Sequence, residues 1–306
     1  MDNNDRKFVS NIGEKMKNLQ NFMRIYMYKL EENLTKHKDD LIEVSFQSDE
    51  ANTDRPLKEY LRKHIEESFF SIPENTDITS ICFEGTTFTD IQNIKRIQVN
   101  RVLLPEDISD ELKETIKASK SSVYTNPDLY LELILDDELS YESIELKSTK
   151  NDSIPGSSIQ QIVPEEWVVF IKHSEKNISI STGQYIHAIN SKMQFPDRSP
   201  RPQVSFKAIS TWNKDNRILN SNTLCYMKDD DDKIKRELIS DWQDVLSQRW
   251  IDVLFNATSI KANEPWFNNN MRKFILSFLT KYEALSDDEK KEFKERVESL
   301  ILSDTE

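Results

Sequence analysis

The middle of the chain contains two runs of alternating apolar and polar residues, and these runs restrict the fold more than any other feature. In the run from Tyr130 to Asp137 a leucine occupies every second position, and Asp136 to Glu138 then interrupts the pattern as a turn would. The run from Tyr141 to Thr149 places Glu145 and Lys147 on the face opposite its apolar residues. The pattern predicts an antiparallel hairpin with one face in the core.

The hairpin would gather three charged side chains at one end. The dipeptide Pro127-Asp128 precedes the first strand, so antiparallel pairing can bring Asp128 beside Glu145 and Lys147. Two carboxylates and the backbone carbonyl of Leu146 offer hard oxygen ligands to Mg²⁺ and leave positions for water and a phosphate oxygen. A lysine beside such a metal can position the water or stabilise developing charge. The pattern therefore predicts a metal-dependent site that cleaves phosphodiesters.

The same fragments also have ordinary structural interpretations. A Glu-x-Lys sequence often keeps a solvated strand face polar, and Pro-Asp dipeptides are common in turns. Under this alternative the chain is a non-catalytic helical interaction protein, in which Glu145 and Lys147 form only a strand face.

The order of these fragments resembles a known signature. Asn126-Pro127-Asp128 followed by Glu145 to Thr149 is similar to the motif of the PD-(D/E)xK nuclease superfamily, and specifically of type II restriction endonucleases. The similarity continues through Ile154 to Gln161 and the apolar run Trp167 to Ile171, and covers about residues 120–175. The resemblance implies an α/β (mixed α+β) fold, a restriction-endonuclease-like mixed sheet flanked by helices, with helical additions at both ends.

The resemblance also implies roles for individual residues. Asp128 and Glu145 would bind Mg²⁺ together with the Leu146 carbonyl, and Lys147 would be the catalytic lysine. The reaction would be sequence-specific hydrolysis of double-stranded DNA that leaves a 5′-phosphate. A homodimer is expected, because cutting both strands of a symmetric site needs two active sites related by a two-fold axis. A cognate DNA methyltransferase would protect the host. Another member of the superfamily, a nicking subunit or a repair or branched-DNA nuclease, is the closest alternative.

Contacts to DNA are expected from a basic segment and a polar turn. Residues 192–217 carry a local charge of +4 in a chain of net charge −13, and arginine binds both guanine edges and phosphate. The candidates are Arg198, Arg201, Gln160, Gln161, Ser157 and Ser158. Alternatively, the arginines form surface salt bridges, such as Arg198 with Asp197, and the glutamines are simply solvated.

A helix ahead of the core is predicted from Pro56 to Phe69, with proline in its first turn. In related nucleases such a helix sometimes supplies an additional carboxylate to the metal site, for which Glu66 and Glu67 are the candidates. A solvated helix face is the alternative for both residues.

The apolar pattern in the rest of the sequence predicts one compact unit over residues 1–306. It would consist of a helical lead with a few strands (1–119), a catalytic and DNA-contact core (120–217) and a helical C-terminal region (218–306). Further helices are predicted at Phe8–Leu34, Asp107–Ser119, Lys233–Asn256 and Met271–Tyr282, with a last helix opened by a capping box at Ser286 to Glu289. Further strands are predicted at Ile78–Phe83, Ile94–Leu104, Ile178–Ile189 and Val204–Ile209, with a turn at Glu84-Gly85.

Composition is compatible with a cytoplasmic enzyme. No apolar run approaches the ~20 residues that span a bilayer, and the first residues lack the pattern of a signal peptide. Cys82 and Cys225 are too few and too isolated in the sequence for a disulfide framework or a zinc site, which favours a reducing compartment. The four histidines show no metal-ligand spacing, so we expect them to be ordinary surface or core residues.

Overall fold

The computed structural model describes residues 3–44, 55–89, 91–119, 127–157, 159–174, 177–194, 201–256 and 266–301. The chain divides into two compact units, residues 1–240 and 241–306. From the sequence, one unit over residues 1–306 is predicted, with a helical C-terminal region from residue 218.

The first unit is a mixed α/β structure. Its helices are α1 (Asn3–Lys36), α2 (Lys38–Glu43), α3 (Arg55–Ser68), α4 (Gln92–Lys95), α5 (Asp110–Ser119), α6 (Tyr185–Ala188), α7 (Phe206–Asn216) and α8 (Asp231–Ser240), with single 3-10 turns at Pro105–Asp107 and Ile159–Gln161. Its strands are β1 (Ser80–Phe83), β2 (Thr86–Phe88), β3 (Gln98–Leu103), β4 (Leu129–Leu135), β5 (Glu138–Thr149), β6 (Ser153–Pro155), β7 (Trp167–Ser174), β8 (Asn177–Gln184), β9 (Ile189–Gln194), β10 (Arg201–Ser205), β11 (Arg217–Asn220) and β12 (Thr223–Tyr226).

The predicted hairpin lies at the centre of a five-stranded mixed sheet of order β3-β4-β5-β7-β8. Strands β4 and β5 pair antiparallel, and β5 then pairs parallel with β7. Asp136 and Asp137 form the two-residue turn between β4 and β5, with φ of 52° and 63°. Positive φ at both central residues matches the twist of the flanking strands, so the structure confirms the predicted hairpin and its turn.

Both faces of this sheet are covered around its interior strand β7, which is buried on both sides. Trp167 and Val169 belong to the large core that the apolar stripe of α1 forms with α3. Val168 and Phe170 point to the opposite face and pack in a second core with Ile209 of α7. The continuous apolar run of β7 follows from this two-sided burial. Helices α1 and α3 were both predicted, and the structure confirms them.

Two smaller sheets complete the first unit. One has the order β11-β12-β1-β2, in which β1 and β12 pair parallel, and the other has the antiparallel order β6-β10-β9. In the first of these, Cys82 and Cys225 are direct register partners, and both are free thiols that are half-buried. The two cysteines are therefore distant in sequence but adjacent in space.

The predicted strand Val204–Ile209 is wrong beyond Ser205. The Ser205 hydroxyl accepts a hydrogen bond from the Ala208 N–H at 3.2 Å and caps α7. An N-cap serine satisfies one of the free donors of the first turn, and the apolar residues Phe206 and Ile209 then lie on the buried face of a helix. The residues after Ser205 that alternate in the sequence form the first turn of that helix.

Three other predicted elements are divided. The strand Ile178–Ile189 ends at Gln184 and continues as α6 and β9, and the strand Ile94–Leu104 starts only after α4. The helix Lys233–Asn256 is interrupted after Ser240, whose hydroxyl donates to the Glu237 carbonyl at 3.3 Å, and helix is observed again from Trp242 to Asn256. That carbonyl is the one that the next helical N–H would use, so the hydroxyl competes with continuation of the helix.

The described residues of the second unit form helices α9 (Trp242–Asn256), α10 (Trp266–Glu283) and α11 (Asp287–Leu300). Aromatic contacts join its helices: Phe278 packs on Phe293 with ring centroids 5.9 Å apart. The predicted capping box is confirmed, since the Ser286 N–H donates to Glu289 Oε2 at 2.8 Å. Met271 is the one buried residue among the described parts of these three helices.

Candidate functional site

Asp128 lies where the chain enters β4, at one end of the hairpin. The register pairs Leu129 with Ile144, so Asp128 is opposite the residue that follows Ile144 in β5. Its Oδ2 accepts a hydrogen bond from the Leu146 N–H at 2.8 Å. Its Oδ1 is 2.6 Å from the Nζ of Lys58, which lies in the first turn of α3. The carboxylate is therefore fixed against β5 by one oxygen and neutralised at the other.

Glu145 is the second carboxylate of the site, and only 9% of the residue is exposed. Its Oε1 contacts the Lys147 ammonium and accepts a hydrogen bond from the Ser157 hydroxyl at 3.2 Å. Burial raises the pKa of Glu145, and the nearby charge of Asp128 adds to this effect against the opposing attraction of Lys147. A buried carboxylate whose ionised form is disfavoured gains from an additional positive charge.

Lys147 completes the group on the same face of β5. Its Nζ donates to the Ser157 hydroxyl at 3.4 Å and lies 5.8 Å from the centre of the Tyr185 ring. Burial opposes the charge of this lysine, but the neighbouring Tyr185 oxygen and Glu145 carboxylate outweigh it and raise the pKa of Lys147. The ammonium is thus held by fixed neighbours, and does not extend freely into solvent.

Ser157 and Tyr185 form a second layer beneath Glu145 and Lys147. The Ser157 N–H donates to the Tyr185 hydroxyl oxygen at 3.2 Å, and the two hydroxyl oxygens are 3.4 Å apart. Glycine precedes Ser157 for a steric reason: a Cβ on Gly156 would lie 2.7 Å from the Pro202 carbonyl oxygen. The close approach of β10 therefore depends on Gly156, and it fixes the position of Ser157.

The structure brings together the residues predicted for chemistry, and it adds two more. The sequence pattern predicts neither Lys58 nor Tyr185 as a site residue. Nothing local distinguishes Lys58 from the other cations of its helix, and Tyr185 falls within a run predicted to be a strand. Both reach the site through contacts between residues distant in sequence.

The other predicted site residues lie elsewhere or outside the described part of the chain. Glu66 uses its Oε1 to accept the Val102 N–H at 2.8 Å, so this carboxylate serves the β3 backbone, and Glu67 is exposed on α3. Gln161 is exposed on its 3-10 turn. The described residues do not include Ser158 or Arg198, nor the side chains of Gln160 and Arg201.

The donors at this site fit a hard divalent cation. Asp128 and Glu145 supply carboxylate oxygens from adjacent chain segments. The Leu146 carbonyl points to the same side as its N–H, which faces Asp128, because both groups of one strand residue point the same way. Among the described residues, this site included, no group of three or more His, Cys, Asp or Glu side chains could hold a metal ion, so a cation bound here would also need the Leu146 carbonyl. Two carboxylates and a carbonyl would leave the rest of a Mg²⁺ shell to water and phosphate.

Comparison with known proteins gives no match. No family model matches the chain, and neither a curated protein nor a solved structure matches it. Within the described residues, no helix has both the length and the apolar character required to cross a membrane.

Proposed function

We propose that this chain is a Mg²⁺-dependent nuclease of the PD-(D/E)xK type, acting as a type II restriction endonuclease on double-stranded DNA. The observation that carries the proposal is the convergence of Asp128, Glu145 and Lys147 at one end of the β4–β5 hairpin. The mixed sheet supports it further. Strands β5 and β7 pair parallel, as in the mixed sheet that the resemblance implies, and the described part of their connection contains β6 and a 3-10 turn.

The residues divide the chemistry between them. Asp128, Glu145 and the Leu146 carbonyl would hold Mg²⁺, which when bound polarises the phosphate and lowers the pKa of a bound water. Lys147 orients the attacking water and stabilises the negative charge that develops on the phosphate. The water oxygen forms a bond to phosphorus while the bond to the 3′ oxygen breaks, which leaves a 5′-phosphate and a 3′-hydroxyl. Ser157 and Tyr185 keep the lysine in position.

The proposal includes a homodimer, because two sites related by a two-fold axis can cut both strands. Support comes from the unit of residues 241–306, where several large apolar side chains are exposed, among them Phe255, Trp266, Phe274, Leu276 and Leu300. Exposed apolar surface of this kind marks sites of protein association. The same observation favours the second candidate function, a non-catalytic interaction protein.

Plasmid cleavage in the presence of Mg²⁺ tests the proposal. We expect discrete double-strand fragments from the parent, whereas a nicking subunit gives open circles and a branched-DNA nuclease cuts only branched substrate. Asp128→Ala and Lys147→Ala should each lower the cleavage rate by about 10²–10⁴-fold. Circular dichroism should show that both retain the fold, and Lys147→Ala should still bind metal.

Lys150→Ala is the matched control for Lys147→Ala, because it removes the same charge from an exposed residue just beyond β5. Its cleavage rate should equal that of the parent. If Lys147→Ala cut as fast as Lys150→Ala, the proposed mechanism would be wrong. If no DNA were cut and Mg²⁺ affinity did not change in Asp128→Ala, the interaction protein would be the better reading.

A further inference from the structure

Lys58 contacts the candidate site from a different part of the chain. It lies in the first turn of α3, beside Leu57, which is buried in the large core. Its Nζ is 2.6 Å from Asp128 Oδ1, and the side chains of Lys58 and Asp128 are only 24% and 23% exposed. A pair that is three-quarters buried is weakly screened by salt, so this contact belongs to the site and is not a surface ion pair.

The two arginines of α3 have partners outside the site. Arg55 pairs with Glu59 at 2.8 Å, and Arg62 pairs with Asp107 at 2.8 Å. Lys63 is exposed on the same helix. The packing of α3 against β3 therefore directs one particular cation, Lys58, to the proposed metal ligand.

The charges at the site identify what Lys58 would bind. Asp128 and Glu145 are balanced by the ammonium groups of Lys58 and Lys147. A divalent cation held by the same carboxylates would leave an excess of two positive charges in a partly buried site, where Coulomb interactions are strong. A polynucleotide backbone supplies one negative charge at each phosphate and can compensate this excess.

We infer that Lys58 is a phosphate-binding residue that exchanges partners: it competes with the metal for Asp128, and binds a phosphate of the polynucleotide backbone once Asp128 binds metal. The inference rests on the proposed function. It adds Lys58 to Mg²⁺ and Lys147 as a third cationic contact to the substrate. It also makes metal and substrate binding mutually supportive, because the metal releases the lysine that the substrate needs.

Two binding measurements test the exchange without relying on cleavage. Free Mn²⁺, followed by electron paramagnetic resonance, reports metal affinity. Lys58→Ala should bind Mn²⁺ about three- to tenfold more tightly, because a competing cation is removed. Lys58→Arg keeps the charge and should bind Mn²⁺ like the parent.

The second measurement is the salt dependence of binding to a fluorescein-labelled duplex of mixed sequence, with Mn²⁺ present and at a temperature where cleavage is slow. Loss of one phosphate contact should reduce the slope of log K against log salt by about 0.9 in Lys58→Ala. Lys58→Arg should restore the slope, and Lys63→Ala, the matched control on the exposed side of α3, should leave it unchanged. Lys58→Met keeps the alkyl stem and replaces Lys58→Ala if the alanine variant does not fold.

The outcomes separate this inference from the proposed function. An unchanged slope, or a weaker affinity for Mn²⁺, in a Lys58 variant of a parent that cleaves DNA would overturn the inference alone. A parent that cleaves no DNA would overturn the proposed function, whatever the Lys58 variants do. A parent that cleaves, with tighter Mn²⁺ binding and a reduced slope in Lys58→Ala, supports both.

Discussion

The β4–β5 hairpin carries two buried glutamates whose surroundings differ. Glu132 on β4 is 1% exposed and accepts hydrogen bonds from Arg101 at 2.8 and 2.9 Å, from the Asn100 amide at 2.6 Å and from the Tyr141 hydroxyl at 3.0 Å. Glu145 on β5 is held only by Lys147 and Ser157 among the contacts described. The Arg101 hydrogen bonds lower the pKa of Glu132, whereas burial raises the pKa of Glu145.

The difference shows how one sheet can hold two carboxylates for two purposes. Glu132 has its charge fully compensated by protein donors, so it fixes β3 against β4 and has no capacity for another cation. Glu145 has only one ammonium and one hydroxyl as partners among the described contacts, and a further cation would favour its ionised form. A carboxylate of the second kind is a candidate for function on physical grounds.

The largest expected difference between the two glutamates is in catalysis. Glu145→Gln removes a charged metal ligand but keeps the size and shape of the side chain. It should lower the cleavage rate by about 10²–10³-fold. Glu132→Gln leaves the site intact and should cleave within about threefold of the parent, per folded molecule. Initial rates of plasmid cleavage at saturating Mg²⁺ measure both. Equal losses in the two variants would remove the functional distinction between them.

The effects on stability should have the opposite order, with the larger loss in Glu132→Gln and the smaller in Glu145→Gln. In Glu132→Gln an amide group faces Arg101 and Asn100, which are both donors, and charge-assisted hydrogen bonds are lost. We expect the free energy of unfolding to fall by about 2–3 kcal/mol. Glu145→Gln removes an ionised form that burial disfavours, and the glutamine carbonyl oxygen can still accept from the Lys147 ammonium, so the free energy of unfolding should stay within about 1 kcal/mol of the parent. Urea unfolding of the metal-free proteins near neutral pH measures this. A Glu145→Gln protein as unstable as Glu132→Gln would show that Glu145 is a structural residue.

The smallest expected difference is in the pH dependence of stability. Glu132 has a lowered pKa, so its stabilising effect is complete above the ordinary glutamate pKa and is lost as pH falls through the folded-state value. Glu145 has a raised pKa, so its ionisation costs stability above the folded-state value, and this cost disappears as pH falls through that value. On acidification, the stability of the parent should therefore fall relative to that of Glu132→Gln. It should rise relative to that of Glu145→Gln.

Urea unfolding in a chelating buffer, repeated from neutral pH down to the glutamate range, measures both trends. The variants are compared with the parent at each pH, so that the titration of all other groups cancels. If the stability difference between parent and variant changed with pH in the same direction for both glutamates, the contrast between the two carboxylates would be contradicted.

The parts of the site that could be predicted are those set by local sequence. Strand alternation fixes the common face of Glu145 and Lys147, and the two-residue turn fixes the register that brings Asp128 opposite Glu145. Lys58 and Tyr185 could not be predicted, because they reach the site through the packing of α3 and the position of α6. That packing depends on the whole core and has no signature in the local sequence.

The differences between the predicted and the observed elements also involve local contacts. The segment after Ser205 alternates like a strand for only a few residues, and one serine hydroxyl is enough to start a helix there. At Ser240 a serine hydroxyl donates to a helix carbonyl beside a one-residue interruption that apolar periodicity does not indicate. At Ser205, one side-chain hydrogen bond therefore favours a helix where the hydrophobic pattern fits two structures.

The parallel pairing of β1 with β12 has a consequence for the order of folding. Each strand belongs to a local hairpin with a two-residue turn, at Glu84-Gly85 and at Ser221-Asn222. The pairing between the hairpins joins residues 143 positions apart, including the Ser80 and Thr223 hydroxyls, 2.7 Å from each other. During synthesis at about 5–20 residues per second, the first hairpin waits roughly 7–30 s for its partner. Throughout that interval one of its edges is free to pair with another chain, so nascent copies of this protein are most vulnerable to mispairing before β12 has emerged.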